Sequence, residues 1–211
     1  MERIALQKLV DWNSNKRKKP LIVWGARQVG KTYLVNKFAD REYKRKIYVN
    51  LLELSGELLV SHYRDLIQDM KQGERYENPV YELIKRYDPT FVDDSDTVVI
   101  IDEISMCRND TFSFMYKVLK KAERLKGKRI RLIVVGDFSQ LPPVVTTSDA
   151  KLLKKFGFDT SGFAFTTKEW GTCKFTVCEL TEVRRQSDVE FIKELHRARL
   201  ADKKCIPYFN G

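Results

Sequence analysis

An eight-residue stretch, "GARQVGKT" at residues 25–32, has the residue types and spacing to bind phosphate. It fits the pattern G-x-x-x-x-G-K-[ST], with the apolar run "LIVWG" before it and the helical pattern "YLVNKFAD" after it. The two glycines let backbone amides turn toward phosphate oxygens, and the N-terminus of the following helix adds partial positive charge. We predict that Lys31 reaches the β- and γ-phosphates of a bound ATP and that Thr32 supplies a hydroxyl to Mg²⁺. The residues expected to contact the nucleotide are Gly25, Ala26, Arg27, Gln28, Val29, Gly30, Lys31, Thr32 and Tyr33.

Two adjacent carboxylates follow an apolar run in "VVIIDEIS" at residues 98–105. At the end of a buried strand, Asp102 would hold Mg²⁺, and Glu103 would polarise an attacking water. A general base beside the metal ligand suits attack by water. The order Asp-Glu therefore favours hydrolysis over transfer to a bound acceptor, and a kinase is disfavoured.

A third polar strand end lies in "GDFSQLPPV" at residues 136–144, after the apolar run "IRLIVV". A glutamine at this place can hydrogen-bond the γ-phosphate and lose that bond on hydrolysis, which is the difference between states that a switch needs. We predict this role for Gln140. The two prolines that follow would keep the next segment stiff.

The elements that must position these residues alternate between strand and helix. Strands are predicted at 21–25, 46–51, 97–102, 131–137 and 175–180, and three of these runs lack alternation, as strands buried on both faces do. Helical patterns cover 109–127, with Asp110 as a plausible N-cap, and 187–202, capped by Ser187 or Asp188. The second helix has an apolar stripe of Phe191, Leu195 and Ala198. The alternation predicts an α/β doubly wound domain.

Composition narrows the class of protein without choosing a function. The 211 residues are 43% hydrophobic and 32% charged, as in ordinary globular domains. The net charge is +10, with basic clusters at 16–19, 44–46, 117–131 and 151–155. Such clusters suit a polyanion such as nucleic acid, or they form a solvated face.

No apolar run is long enough to span a membrane, and the N-terminus lacks the order of a signal peptide. The cysteines, Cys107, Cys173, Cys178 and Cys205, show no metal-ligand spacing. We interpret them as reduced, mostly buried thiols of a cytoplasmic protein, with no membrane partner.

From "IDEISM" (101–106) to "RARL" (197–200) the chain resembles the Pif/RecD-like superfamily 1 DNA helicases. The resemblance rests on "DEISM", "GDFSQLPPV" and "CELTEVRRQSDVEFIKELHRAR" in that order. It implies a RecA-like P-loop NTPase fold of ASCE type, mainly a parallel sheet with helices on both faces. It also implies γ-phosphate contacts from Gln140 and from Arg185, the arginine of the "RQ" pair. The family usually has an aromatic residue before that arginine, and here Arg184 stands there.

The front half, by contrast, is similar to a group of prokaryotic AAA-like ATPases whose loop also has the sequence GARQVGKT. After "KIYVNL" there is no counterpart of the threonine- and glycine-containing motif with which the helicases grip single-stranded DNA. Gln7 precedes the loop roughly where the helicases keep an adenine-binding glutamine. The alternative for Gln7 is a surface glutamine on the first helix.

Two functions from different classes remain open. In the first, residues 1–211 form a single ATPase domain, which is the first RecA-like domain of a DNA helicase motor. The partners of this domain are single-stranded DNA and a second RecA-like domain, in cis or on another chain. The ending "CIPYFNG" leads us to expect a longer protein, and the chain alone to unwind DNA poorly. Phe138, Phe163 and Trp170 would then be either base-stacking platforms or core residues. In the second, an AAA-like regulatory ATPase acts on a protein partner; a nucleotide-binding fragment without turnover is a further possibility.

Overall fold

The computed structural model describes residues 2–15, 19–27, 29–51, 97–126, 129–181, 188–200 and 202–210. In these ranges the strands are β1 (Leu21–Gly25), β2 (Arg45–Asn50), β3 (Thr97–Asp102), β4 (Arg131–Gly136) and β5 (Thr176–Leu180). The α-helices are α1 (Glu2–Ser14), α2 (Lys31–Glu42), α3 (Asn109–Lys126), α4 (Thr147–Lys155), α5 (Lys168–Cys173), α6 (Val189–Arg199) and α7 (Ile206–Asn210). Short 3₁₀ turns lie at Ile104–Met106, Ala164–Thr166 and Lys203–Cys205.

The strands form one parallel sheet in the order β2-β3-β4-β1-β5. All six residues of β4 are buried, and β4 lies between β3 and β1. Because all strands are parallel, their carboxyl ends meet at one edge. The phosphate loop follows β1, Asp102 is the last residue of β3, and Asp137 follows β4. The predicted polar residues therefore gather at this edge.

Two apolar clusters cover the two faces of the sheet, and the alternation of β4 divides its side chains between them. Leu132 and Val134 join a cluster with residues of α3, while Ile133 and Val135 join one with residues of α1 and α2. The α3 members are Phe112, Met115 and Leu119, and the members from α1 and α2 include Leu9, Trp12, Val35 and Phe38. The predicted α/β fold with helices on both faces of a mainly parallel sheet is confirmed.

A buried ion-pair network connects the start of α3 to the start of α4, the helix that follows β4. Arg108 bonds Asp110 through Nε at 3.0 Å and through Nη2, and its Nη1 lies 3.1 Å from Asp149 Oδ1. Asp149 also accepts from the backbone and the hydroxyl of Thr146 in a capping box that begins α4. Burial alone would raise the pKa of Asp149, but the hydrogen bonds from Thr146 and Arg108 outweigh it and lower that pKa. The network therefore fixes where α4 begins relative to α3.

The predicted strand boundaries and those of α3 agree with the structure to about one residue, whereas the helical pattern at 187–202 is longer than α6 by two residues at its start and three at its end. Two further corrections are local. Helix α3 begins at Asn109, so Asp110 lies in its first turn and pairs with Arg108 instead of capping it. Asp188 does cap α6, but on that helix Leu195 is exposed, and the buried side chain is Glu194. The four cysteines are free and buried, as predicted. Among the helices of the described ranges, none has the length and apolar character needed to cross a membrane.

Candidate nucleotide site

The phosphate loop connects β1 to α2 through two glycines with different requirements. At Gly25 a Cβ atom would stand 2.3 Å from the Leu180 carbonyl oxygen, so the end of β5 leaves no room for a side chain. Gly30 has φ +83°, a left-handed conformation that strains any L-residue, although a Cβ there would meet nothing within 4 Å. The loop therefore keeps open space on the side of Gly30.

Lys31 folds back over the loop that precedes it. Its Nζ donates to the carbonyl oxygens of Gly25 and Ala26, both at 2.8 Å. Burial lowers the pKa of Lys31, and the carboxylates of Asp137, Glu103 and Asp102 partly oppose that shift. An entering phosphate, which carries full negative charge, would compete with these neutral carbonyl oxygens for the Lys31 ammonium.

Thr32 and Asp102 meet across 70 positions of the chain, where the Thr32 hydroxyl donates to Asp102 Oδ2 at 2.7 Å. Tyr48 of β2 donates its hydroxyl to the same oxygen at 2.5 Å, and the Glu103 amide donates to Oδ1 at 2.9 Å. Asp102 is buried, with 3% of its surface exposed. A hydroxyl oxygen and a carboxylate in contact form an all-oxygen pair of the kind that Mg²⁺ prefers.

Glu103 leaves β3 in a left-handed backbone conformation, with φ +56° and ψ +43°. This geometry is uncommon for a residue with a Cβ, and it tends to persist at functional sites. Burial, followed by the neighbouring charge of Asp102, raises the pKa of Glu103, while Lys31 and Arg27 oppose the rise. A carboxylate with a raised pKa is a better proton acceptor, so the environment suits a general base.

Asp137, directly after β4, binds several groups at the same edge of the sheet. Its Oδ1 accepts from the Ser139 amide at 3.1 Å. Its Oδ2 accepts from Gln140 Nε2 at 3.1 Å and from Arg199 Nη1 at 2.8 Å. Asp137 is 3% exposed, so these donors replace water around a buried carboxylate. Gln140 is thereby held beside the strand that neighbours β1.

The remaining predicted contacts fall into three groups. Gln7 lies on α1, is exposed, and donates to Asp11 Oδ1 of the same helix at 2.9 Å. Val29 is buried, whereas Arg27 and Tyr33 are exposed, and the Tyr33 ring lies 5.5 Å from the Lys37 ammonium. Gln28 and Arg185 lie outside the described residues.

The aromatic residues considered as stacking platforms each pack against another aromatic ring. The rings of Phe138 and Trp170 are 5.6 Å apart, and both side chains pack against the α3-side core. Phe163 stacks on Phe165 at 4.9 Å. Phe138, Phe165 and Trp170 also line an open apolar groove of about 640 Å³ beside β1 and β5. These contacts favour the core interpretation for Phe138 and Trp170.

Three residues of the site were not assigned a role from the sequence: Tyr48, Asp137 and Arg199. Tyr48 lies within β2 and Asp137 directly follows β4. A polar group within or just after an apolar run is a signal that could have been used. Arg199 comes from α6, 62 positions after Asp137, and no local pattern indicates that contact.

Residues 17–157 match the model of a protein family described as an AAA domain. That range holds the phosphate loop, Asp102, Glu103 and Gln140, and it exceeds half of the chain. The chain belongs to this AAA-domain family.

About half of this AAA-domain protein aligns with two Pif1 helicases to which it is homologous. It is 41% identical over 107 residues to the ATP-dependent DNA helicase PIF1 of Xenopus laevis. The aligned residues make up 48% of this chain and 15% of that protein. It is 34% identical over 116 residues to the Pif1 helicase of Campylobacter jejuni, and the alignment covers 54% of this chain and 24% of that protein. The chain thus spans a quarter or less of the length of these relatives.

Solved structures agree on the fold. A Bacteroides Pif1 helicase in complex with ADP-AlF3 and single-stranded DNA superposes with a TM-score of 0.64 at 22% identity, covering 93% of this chain and 46% of that one. The Candida albicans Pif1 helicase superposes with a TM-score of 0.56 at 23% sequence identity, and the match covers 94% of this chain and 43% of that one. The predicted RecA-like P-loop fold is confirmed.

The residues present fit a magnesium nucleotide. The loop has open space at Gly30, and the Lys31 ammonium contacts only neutral carbonyls among the hydrogen-bond acceptors given above. Thr32 and Asp102 already place two oxygens together. The geometry of this edge of the sheet therefore suits a bound nucleotide.

Proposed function

We propose that this protein contains a helicase-type motor domain that hydrolyses ATP with Mg²⁺ and couples hydrolysis to single-stranded DNA. The observation that carries the proposal is the contact between Asp137 and Gln140. Both residues follow β4, which pairs with β1, the strand that leads into the phosphate loop. A phosphate loop alone accounts for nucleotide binding. A glutamine poised beside it accounts for a response to the γ-phosphate.

Three side chains would hold the nucleotide. Lys31 would leave the Gly25 and Ala26 carbonyls for the β- and γ-phosphates, and the loop amides of residues 25–32 would surround the phosphate oxygens. Thr32 and Asp102 would hold Mg²⁺, directly or through water. The cation, when bound, neutralises phosphate charge. Tyr48 fixes the Asp102 carboxylate through its hydroxyl.

Glu103 would act as the general base. Its carboxylate accepts the proton of the water that attacks the γ-phosphorus, so that ATP is cleaved to ADP and inorganic phosphate. Its raised pKa and its proximity to Lys31 and Asp102 support this role. Arg185, carried over from the helicase resemblance, would stabilise transition-state charge, and Gln7 would contact the adenine.

The partners of the motor follow from the relatives. Pif1 helicases are named as ATP-dependent DNA helicases, and one of their structures contains single-stranded DNA. We propose the same partner here, with residues 1–211 as one ATPase domain that works with a second RecA-like domain in cis or on another chain. We place the protein in the prokaryotic cytoplasm, which suits its four free cysteines.

A regulatory AAA-type ATPase acting on a protein partner is the second candidate. It is favoured by the family match, which covers 17–157 and includes the front half that resembles prokaryotic AAA-like ATPases. In this case nucleotide state controls a protein contact and DNA has no effect on turnover.

DNA-stimulated turnover distinguishes the two candidates. We expect ATP hydrolysis by the chain to accelerate with single-stranded DNA at low salt, and the stimulation to fall as salt rises, because Lys and Arg contacts to phosphates release counterions. Lys31→Ala should abolish hydrolysis and serves as the control for contaminating ATPases. ATP hydrolysis without any response to DNA at low salt would favour the regulatory candidate.

A further inference from the structure

The C-terminal end of α6 reaches the phosphate site through one side chain. Arg199, the last residue of the helix, places Nη1 2.8 Å from Asp137 Oδ2. The Arg199 side chain is 19% exposed and that of Asp137 is 4% exposed. An ion pair with one partner so well buried is screened less by solvent than a surface pair, so removing one member leaves a buried charge uncompensated.

Arg199 shares its acceptor with the predicted phosphate sensor. Gln140 Nε2 donates to the same oxygen, Asp137 Oδ2, at 3.1 Å. If the Gln140 amide turns to a γ-phosphate, Oδ2 loses one of its two side-chain donors. The carboxylate then interacts mainly with the Arg199 guanidinium, and the ion pair between Asp137 and Arg199 becomes stronger.

The same guanidinium contacts the strand that leads into the phosphate loop. Arg199 Cζ lies 5.8 Å from the centroid of the Trp24 ring, within the range of a cation–π contact. Trp24 directly precedes Gly25, the first residue of the loop. One side chain of α6 therefore touches the ends of both β1 and β4, where the phosphate-binding residues and the sensor begin.

The aromatic contacts of α6 given for the described residues are with α7, where the Phe191 ring lies 6.4 Å from the ring of Tyr208 and 6.2 Å from that of Phe209. Val189 and Leu195 of α6 are 79% and 41% exposed. The contacts of Arg199 described above therefore help to fix α6 against the sheet edge.

We propose that Arg199 is a positioning residue that transmits the state of the γ-phosphate from Gln140, through Asp137, to helix α6. This inference rests on the proposed function, because it requires ATP in the loop and Gln140 on its γ-phosphate. The two states of the switch differ in whether Gln140 bonds Asp137 or phosphate, and Arg199 biases α6 accordingly.

The test is hydrogen exchange of α6 in the full chain, measured without nucleotide, with ADP and with a non-hydrolysable ATP analogue. We expect the analogue, but not ADP, to slow exchange at residues 189–199. Arg199→Gln should abolish this response and lower kcat roughly tenfold while KM changes less than about threefold, because the loop that binds the nucleotide is untouched. Arg199→Lys should restore part of the response, since it keeps the charge but loses the planar fork.

Arg197→Gln is the matched control, because Arg197 lies on the same helix and pairs with Glu194 instead of Asp137. It should keep kcat and the difference in exchange between nucleotide states, although the loss of the partner of buried Glu194 should speed exchange of α6 in every state. Binding of a fluorescent ATP analogue is measured first. No binding by the unmodified chain would overturn the proposed function and this inference with it. Binding without a γ-phosphate-dependent response of α6, or equal losses in the Arg199 and Arg197 variants, would overturn this inference alone.

Discussion

At Glu103 the backbone and the environment both oppose folding. Left-handed geometry at a residue with a Cβ costs on the order of 1–3 kcal/mol, and φ here is +56°. Burial and the adjacent Asp102 raise the pKa of Glu103, so its charged form is less favourable in the folded protein than in the unfolded chain. Both penalties fall on the proposed general base, which is the residue where selection for activity would tolerate them.

Glu103→Gln should therefore abolish ATP turnover and stabilise the protein at neutral pH. The substitution removes the desolvated charge and keeps the shape of the side chain. Because the pKa of Glu103 is higher in the folded protein, the native form keeps the carboxyl proton to a higher pH than the unfolded chain does. The loss of stability caused by the charged carboxylate therefore grows as pH rises above the unfolded pKa near 4.5. The gain in the free energy of unfolding should be present at pH 7 and shrink toward pH 4. Urea unfolding across this range measures it.

Glu179→Gln provides the control, because Glu179 is an exposed glutamate on β5. It should shift stability by less than about 0.5 kcal/mol and leave turnover unchanged. A Glu103→Gln protein that is less stable than the unmodified one at pH 7 would contradict the account of burial given for this residue. Normal turnover in that protein would remove Glu103 from the chemistry.

Among the secondary-structure elements, the end of β4 packs closely on the turn that follows β3. A Cβ at Gly136 would stand 2.7 Å from Ile104 Cγ2 and 3.1 Å from the Ile104 amide nitrogen. Ile104 is fully buried and directly follows Glu103. The close approach of the two strand ends is therefore what brings Asp137 and Glu103 to the same site.

Gly136→Ala should lower the free energy of unfolding by about 1–3 kcal/mol, the usual result of overpacking a core, and should reduce turnover by displacing Glu103. Gly171→Ala is the matched control. Gly171 lies in α5, where a Cβ would meet nothing within 4 Å. Alanine there should stabilise the protein by about 0.5–1 kcal/mol through helix propensity. Equal effects of the two substitutions on unfolding and on turnover would show that the contact with Ile104 is unimportant.

How far the sequence predicts the molecule depends on how local each feature is. The strands were predictable because runs such as "RLIVVG" are apolar throughout, and the phosphate loop because its residues are contiguous. The contact of Thr32 with Asp102 followed from the parallel sheet, which gathers strand ends at one edge. The Asp137–Arg199 pair joins distant segments, and the left-handed geometry of Glu103 has no side-chain signature. Neither could be predicted from spacing.

Across the whole molecule, the net charge of +10 is unevenly compensated. On α3, Lys117 pairs with Glu169 at 3.3 Å and Lys120 with Glu123 at 2.6 Å. On α4, the exposed Lys151, Lys154 and Lys155 have no acidic partner within salt-bridge distance among the described residues. Uncompensated lysines attract a polyanion more strongly than paired ones, so we expect α4 to contribute more to nucleic-acid binding than α3 does.

Replacing Lys151, Lys154 and Lys155 together with glutamine should weaken binding of a single-stranded DNA oligonucleotide. Each lost phosphate contact lowers the salt slope of log K by about 0.7 for a single strand. If all three lysines contact phosphates, the slope should fall by roughly 2. ATP turnover without DNA should not change, because the three lysine side chains are exposed on α4 and are not among the residues that form the nucleotide site. Fluorescence anisotropy at several salt concentrations measures the slope.

The control replaces Lys117, Lys120 and Arg124 of α3 with glutamine, which changes the net charge by the same amount. Two of these residues already neutralise Glu169 and Glu123, so the loss of affinity should be smaller than for α4. Equal losses would mean that DNA responds to net charge alone, without a preferred surface. No loss from the α4 variant, with the α3 variant weakened, would place the nucleic acid on the face that carries α3.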